Sequence, residues 1–407
     1  MNPVILTLYI VIQILVLAGL GLPVLYIFLF SFAGLFYRQR PYLQNPSLRK
    51  IVVLIPGYKE DVVIRETLGD ALLQDYPKEY FDIVVIADSF QQDTLDFLKT
   101  LPIRIIEVSF DKSTKSKSLN KAMEQLTEKY DIAVILDADN LMARDFLRKV
   151  NATFELGSIA VQGHRTAKNI NTSLAVLDAA SEEINNHIFR KGHRVLGLSS
   201  AIIGSGMAFR YDLFKDLMAT VTAVGGFDKE IELKLLKAGY TIEYLDDAYV
   251  YDEKVQQAEV FSNQRRRWLS AQLIYFRRDF ISSLKALITK GNIDYFDKVV
   301  QFIQPPRVLL LGMVIVFGII FFLLNRMMDI SRIYNYFWTG IFLVCILAFL
   351  FSLPGKMYNR KTLKALASLP KGMLLMLGSL LRIKGANKQF IHTRHGETSA
   401  DKSNIRK

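Results

Sequence analysis

The sequence predicts an α/β domain with a doubly wound, mostly parallel sheet, cytoplasmic and joined to about three transmembrane helices. Three observations lead there. Short β-branched runs alternate with helical patterns between residues 51 and 162. Polar residues gather at the carboxyl ends of those runs. Long uncharged apolar stretches lie on either side of the region.

The 407 residues hold 51 Lys and Arg against 39 Asp and Glu, 51% apolar side chains and one cysteine. That balance excludes disordered, collagen-like and disulfide-stapled classes. Cys345 lies in an apolar run with no second cysteine, so neither an intrachain disulfide nor a cysteine-rich metal site can form. The net charge of +12 fits loops facing anionic lipid better than nucleic acid once its placement is followed.

Residues 1–37 carry no charge and suffice for one span, with Gly19, Gly21 and Pro23 predicting a kink. A cleaved signal peptide is disfavoured, because the apolar region is too long and no basic segment precedes it. Arg38, Arg40, Arg49 and Lys50 follow the span and place residues 38–280 in the cytoplasm. Two further spans are expected at 308–324 and 336–353. From Lys356 to the end there are 12 Lys and Arg against Glu397 and Asp401, which puts the 356–407 tail on the same side, facing lipid. Residues 281–307 continue an amphipathic pattern, expected as one interface helix over Phe280–Phe302, and Leu363–Leu381 reads the same way.

Within the soluble region, Ile51–Ile55, Ile83–Ala87, Ile103–Val108, Ile132–Leu136 and Ile159–Gln162 read as buried parallel strands. Helices are expected over Val62–Gln74, Asp93–Thr100, Lys117–Glu128 and Met142–Phe154. Ligands of such sheets bind beyond the carboxyl ends of the strands. There stand Tyr58 and Glu60, Asp88, and the pair Asp137 and Asp139.

Two carboxylates at i and i+2 past a buried strand can converge on one hard cation, Mg²⁺ or Mn²⁺, with a diphosphate supplying further oxygens; the same pattern also forms plain turns. Asp88 is placed to accept from a nucleobase or to cap a turn. Lys115 opens a segment of cations and hydroxyls at a helix start, suited to anions or simply solvated. Gly204-Ser205-Gly206 allows close backbone approach or a tight turn. Asp228 opens a helix over Lys229–Lys237, where an N-cap role and a chemical one are compatible. Gln264 to Trp268 joins a flat aromatic to guanidinium forks, which suits a sugar ring beside a phosphate, or a juxtamembrane basic cluster.

In this order the residues resemble the family 2 glycosyltransferases, and within them the membrane-integrated synthases related to cellulose, chitin, hyaluronan and poly-N-acetylglucosamine synthases. The resemblance runs from about Ile51 to Trp268 and implies the fold type known as GT-A. Pro56-Gly-Tyr58-Lys59-Glu60 is similar to the family's Pro-x-Tyr-Asn-Glu, with Lys59 in place of Asn. Asp88 matches the aspartate that holds uracil, Lys115 with Leu119-Asn120 a Lys-x-x-x-Leu-Asn element near the nucleotide, and Asp137-Ala-Asp139 the metal and diphosphate motif with Asp139 as direct ligand. Gln264-x-x-Arg267-Trp268 matches the element in which Trp stacks on the acceptor while Gln and Arg address acceptor and diphosphate; Gly204 and Ser205 fall on the acceptor side. The family's Thr-Glu-Asp stands here as Gly226-Phe227-Asp228, which keeps the general base Asp228 and loses its two neighbours; Glu230 and Glu232 are weaker candidates for base. Phe390 and Thr393 resemble a gating segment of cellulose synthases, with His392 replacing Val.

The resemblance implies an inverting, metal-dependent transfer of a hexosyl or N-acetylhexosaminyl group, from a nucleotide diphosphate sugar that is UDP-linked, to a growing polysaccharide of the cell envelope. The alternative is a single addition to a lipid-linked acceptor. It implies a multi-pass protein of the inner membrane, no nucleic-acid partner, and a homo-oligomer or accessory subunit to complete a conduit that three spans alone would make narrow.

Overall fold

The structure, a computed structural model, describes residues 2–43, 45–383 and 385. Phe390 and Thr393 therefore lie outside the described residues.

Eight strands form one sheet: β1 Ile51–Tyr58, β2 Phe81–Asp88, β3 Arg104–Val108, β4 Ile132–Ile135, β5 Leu141–Met142, β6 Ala160–Ala167, β7 Met207–Arg210 and β8 Glu243–Asp252. Their spatial order is β3-β2-β1-β4-β7-β6-β8-β5. The first four in that order are parallel, as are β6 and β8, whereas β7 runs antiparallel between β4 and β6, and β5 pairs antiparallel with β8. The sheet is thus mixed α/β with mostly parallel strands. Both of its faces are covered, since Val52 and Leu54 enter one core and Ile51, Val53 and Ile55 the other. That is why β1 reads as an unbroken apolar run, each such side chain stabilising the fold by about 1.5–3 kcal/mol.

Three strands were not legible in advance. Leu141–Met142 pairs with β8, so the helix expected from Met142 starts only at Phe146. β7 is too short to stand out, and β8 carries Glu243, Asp246, Asp247 and Asp252. Those carboxylates are matched by cations: Asp246 by Lys191 at 2.6 Å and Asp247 by Lys149 at 3.3 Å across the fold, and Asp252 by its near neighbour Lys254 at 2.7 Å. The other expected helices are Ile64–Ala71, Gln92–Leu98 and Lys115–Gln125, differing from the pattern at their ends.

Among the described residues three helices are long and apolar enough to cross a membrane: Pro3–Gly34, Arg307–Met327 and Ile333–Ser352. The first runs unbroken through Pro23, with Gly21 packed close to Ile341 of the third. Polar residues between these helices pair with one another, Tyr9 Oη donating to Asn325 at 2.7 Å and Asn325 to Asn335 at 2.8 Å. The first helix is also tied to the sheet domain. The Phe30 ring stacks on His193 at 3.7 Å, just after the π-helical turn His187–Gly192, and a Cβ on Gly192 would stand 2.0 Å from the Phe30 carbonyl oxygen.

The single interface helix expected over Phe280–Phe302 is two helices. Ala258–Lys290 is capped by Gly291 at φ 63°, and Ile293–Gln301 follows. Tyr295 and Val299 of the second are fully buried in the domain core beside Leu236, so its apolar face is spent on protein rather than on lipid. Leu363–Leu381 likewise divides, into Arg360–Leu366 and Leu369–Leu381, bent by 54°.

Candidate active site

The parallel register sets Tyr58 of β1 directly beside Asp88 of β2, and β4 ends next to them just before Asp137. A cavity of about 460 Å³ lies over these ends. It brings Pro56, Tyr58, Glu60 and Asp88 together with Lys115, Asp137 and Asp139. Its other wall holds Asp228, Gln264, Arg267 and Trp268.

Asp88 is 1% exposed; one carboxylate oxygen accepts from Ser89 Oγ at 3.0 Å, and the other is buried without a partner. A buried acceptor left open calls for a donor that a ligand would bring. Backbone strain marks the same edge: Lys59 and Ser89 stand at φ 55° and 59°, with the Lys59 amide donating to the Asp88 carbonyl at 3.0 Å.

The Asp137-Ala138-Asp139 turn is held on all sides. The Asp137 amide donates to Ser205 Oγ at 2.9 Å, and Ser205 Oγ donates to Asn140 at 2.6 Å. Asn140 in turn donates to Asp139 and to Asp252, each at 3.1 Å, and Thr67 Oγ1 donates to the Ala138 carbonyl at 2.7 Å. Ser205 is therefore not an acceptor-binding residue, because it is fully buried and its hydroxyl is committed to this turn. Gly204 does not line the cavity either; it contributes a carbonyl that accepts from Lys115 Nζ at 2.7 Å. Lys115 also pairs with Asp137 and lies 5.1 Å from the Phe227 ring, so it joins the Asp137–Asp139 turn to the helix of Asp228.

Among the described residues no three His, Cys, Asp or Glu side chains gather into a metal cage. Two carboxylates with room for a diphosphate still fit a hard cation such as Mg²⁺ or Mn²⁺, which takes few protein ligands beside substrate phosphates.

Asp228 sits in the first turn of Phe227–Lys237, whose cap is Gly226 at φ 74°, so it is not the N-cap that its position had suggested. Its carboxyl is held above the ordinary 3.8, first by burial and then by the charge of Glu232, against the opposing pull of Lys229 and Lys115. Of the two weaker candidates, Glu232 lines the cavity and Glu230 does not, and both have partners of their own. Glu230 pairs with Lys234 at 3.1 Å, while Glu232 accepts from the Ile202 amide at 3.0 Å and Lys298 at 3.1 Å.

Gln264, Arg267 and Trp268 share one face of the Ala258–Lys290 helix, as i, i+3 and i+4 spacing requires. The Trp268 ring is braced by the Arg265 guanidinium 4.3 Å away, which is itself paired with Asp178. Sequence reasoning missed this brace and a buried ion network in the cavity wall. There Arg165 donates to Glu182 at 2.9 Å, and Lys254 lies 3.6 Å from Glu182. Burial would raise the Glu182 carboxyl, yet Arg165, Lys254 and Arg190 together hold it well below the usual range. No local motif announces these residues, which come from a strand, a helix and a loop.

Residues 48–271 match the sequence profile of the family described as glycosyltransferase like family 2. The chain is 27% identical over 233 residues to the probable glycosyltransferase YdaM of Bacillus subtilis, covering 54% of this chain and 55% of that protein. It is 23% identical over 271 residues to the UDP-forming cellulose synthase catalytic subunit of Pseudomonas fluorescens, covering 64% of this chain and 36% of that one. The chain thus spans about half or less of the length of these relatives. Among solved structures, a mannosyltransferase from Pyrobaculum calidifontis in complex with GDP-Man and Mn²⁺ superposes with a TM-score of 0.50 at 18% identity, over 84% of this chain and 97% of that one, a likeness of fold.

Proposed function

The chain belongs to the family 2 glycosyltransferases, and we propose that it is an inverting enzyme that moves a sugar from a UDP-linked donor onto a hydroxyl of a growing glycan. The observation that carries this reading is the shared cavity: the open Asp88 oxygen and the Asp137–Asp139 turn lie on one side, with Asp228 and Trp268 opposite.

In this reading Asp88 receives the N–H of the base, and Lys115 and Arg267 face the diphosphate. Asp137 and Asp139 hold a Mg²⁺ or Mn²⁺ ion, whose charge offsets that of the leaving diphosphate. Asp228 takes the acceptor hydroxyl proton as that oxygen attacks the anomeric carbon. The bond from that carbon to the diphosphate oxygen breaks, with inversion and no covalent enzyme intermediate. Trp268 stacks on the acceptor ring and lowers the entropic cost of alignment.

We place the protein in the inner membrane with the sheet domain cytoplasmic, on the ground that Arg38, Arg40, Arg49 and Lys50 follow the first apolar helix. A second reading, single addition to a lipid-linked acceptor, draws on Lys298, Gln301 and Phe302. These line the same cavity, and the last membrane-length pair of helices begins at Arg307, a few residues on.

The test is a donor screen on detergent-purified protein with Mg²⁺ or Mn²⁺, spanning UDP- and GDP-sugars, that reads nucleotide release and product length together. Long product with UDP release supports the first reading, and a one-sugar lipid product the second. Undiminished release from Asp139→Ala would remove the metal assignment.

A further inference from the structure

A second cavity, of about 300 Å³, lies away from the active site beside the carboxyl end of the first membrane-length helix. Helix Pro3–Gly34 ends four residues before Arg38, a reach of at most about 14 Å. Arg38, Arg40 and Arg194 line the cavity with Tyr37, Tyr42 and Thr153. The opposite wall is fixed to the membrane helix, because Arg194 directly follows His193, which stacks on Phe30.

The three arginines are not equivalent. Arg194 is taken up by a two-pronged pair with Glu243, at 3.0 and 2.7 Å. Arg40 stands only 3.9 Å from the same carboxylate and is 67% exposed, a contact worth little. Arg38 makes no ion pair with the described residues. Among the described residues Glu243 is the only carboxylate in the lining, against three arginines, while Asp246 and Asp247 behind it are paired with Lys191 and Lys149. Beside the cavity the surface is apolar: Phe36 and Leu156 line it at 61% and 41% exposure, and Leu35 and Leu196 are exposed next to them.

We propose that this cavity binds the phosphate of an anionic phospholipid headgroup, with Arg38 and Arg40 as the charged ligands and the Leu35, Phe36 and Leu196 surface against the acyl chains. Guanidinium forks suit a phosphodiester, and the apolar rim sets a lipid apart from free phosphate. The site is independent of the catalytic reading, since none of its residues lines the larger cavity.

The experiment uses the full chain in neutral detergent and titrates dioctanoyl-phosphatidylglycerol, with dioctanoyl-phosphatidylcholine and inorganic phosphate as comparison arms, by native mass spectrometry. Phosphatidylglycerol should be retained over phosphatidylcholine, and the double variant Arg38→Gln/Arg40→Gln should weaken its affinity about thirtyfold while nucleotide release in detergent stays unchanged. If the double variant unfolds, Arg38→Gln alone should weaken binding about fivefold. Equal retention by wild type and variant, or equal retention of both lipids, overturns the site. Displacement of the lipid by inorganic phosphate at matched concentration overturns a lipid as its occupant.

Discussion

Glu232 and Lys298 meet at 3.1 Å with neither side chain more than 2% exposed. The pair joins the helix of Asp228 to Ile293–Gln301, the helix that precedes the last two membrane-length helices. Lys298→Met removes one of the two cations on Glu232 and leaves Lys229 at 3.3 Å, so the cost should fall below the about 3–5 kcal/mol of a buried charge left with no partner. Thermal unfolding in detergent should show that loss, and Glu232→Gln in the same chain should recover part of it. The pH dependence follows in sign. Burial opposes ionisation of Glu232, but Lys229 and Lys298 outweigh it and hold its carboxyl below the ordinary 4.5. The stability it contributes is present above that value and lost as pH falls through the lowered one.

Asp228 has the opposite shift. Burial leads in raising its carboxyl above 3.8, and a base works only when ionised. Transfer should therefore fall on the acid side as pH drops through the raised value, at a pH where ordinary carboxylates are still charged. Asp228→Asn should abolish transfer and leave nucleotide affinity within twofold or so; transfer that survives with the same acid limb would move the base elsewhere.

The open oxygen of Asp88 yields a binding prediction. Asp88→Ala should lower affinity for the nucleotide by about 1–3 kcal/mol, or roughly five- to 150-fold, by removing an acceptor for a base N–H. Calorimetry with UDP and with uridine-free pyrophosphate separates this from a diphosphate contact, since only UDP binding should change.

These positions show what a sequence carries and what it does not. Asp88, Asp137 and Asp139 were legible because a buried parallel strand must end in a turn, and a polar residue at that turn stands out against the apolar run before it. Asp228 was legible as the residue that opens its helix, but the N-cap role expected of it falls to Gly226, which reaches the left-handed backbone there. Ser205 misled, because a hydroxyl beside two glycines looks free until the Asp137 amide and Asn140 are found to claim it. β8 was hidden for a related reason: its carboxylates obscure the alternation, and their cationic partners lie up to about a hundred residues away in the chain. The Arg165–Glu182 network and the Arg265 brace are likewise contacts made only by folding.

That brace makes Trp268 a sharp test of chain growth. The indole is 41% exposed at the cavity wall, while Arg265 holds it at 4.3 Å and is itself anchored by Asp178, so the ring is presented rather than buried. A large aromatic kept exposed and rigid serves a ligand better than it serves the core. Trp268→Ala should leave donor binding and slow donor hydrolysis near wild type while lowering kcat/KM for the acceptor by about two- to twelvefold, the value of a stacking contact of roughly 0.5–1.5 kcal/mol. Trp268→Phe should restore part of it. Product length on a gel is the decisive readout, because repeated addition compounds a weak hold on the acceptor at every cycle. Short products from the Ala variant with unchanged nucleotide affinity would place Trp268 on the acceptor, and full-length products would show that the acceptor is held elsewhere.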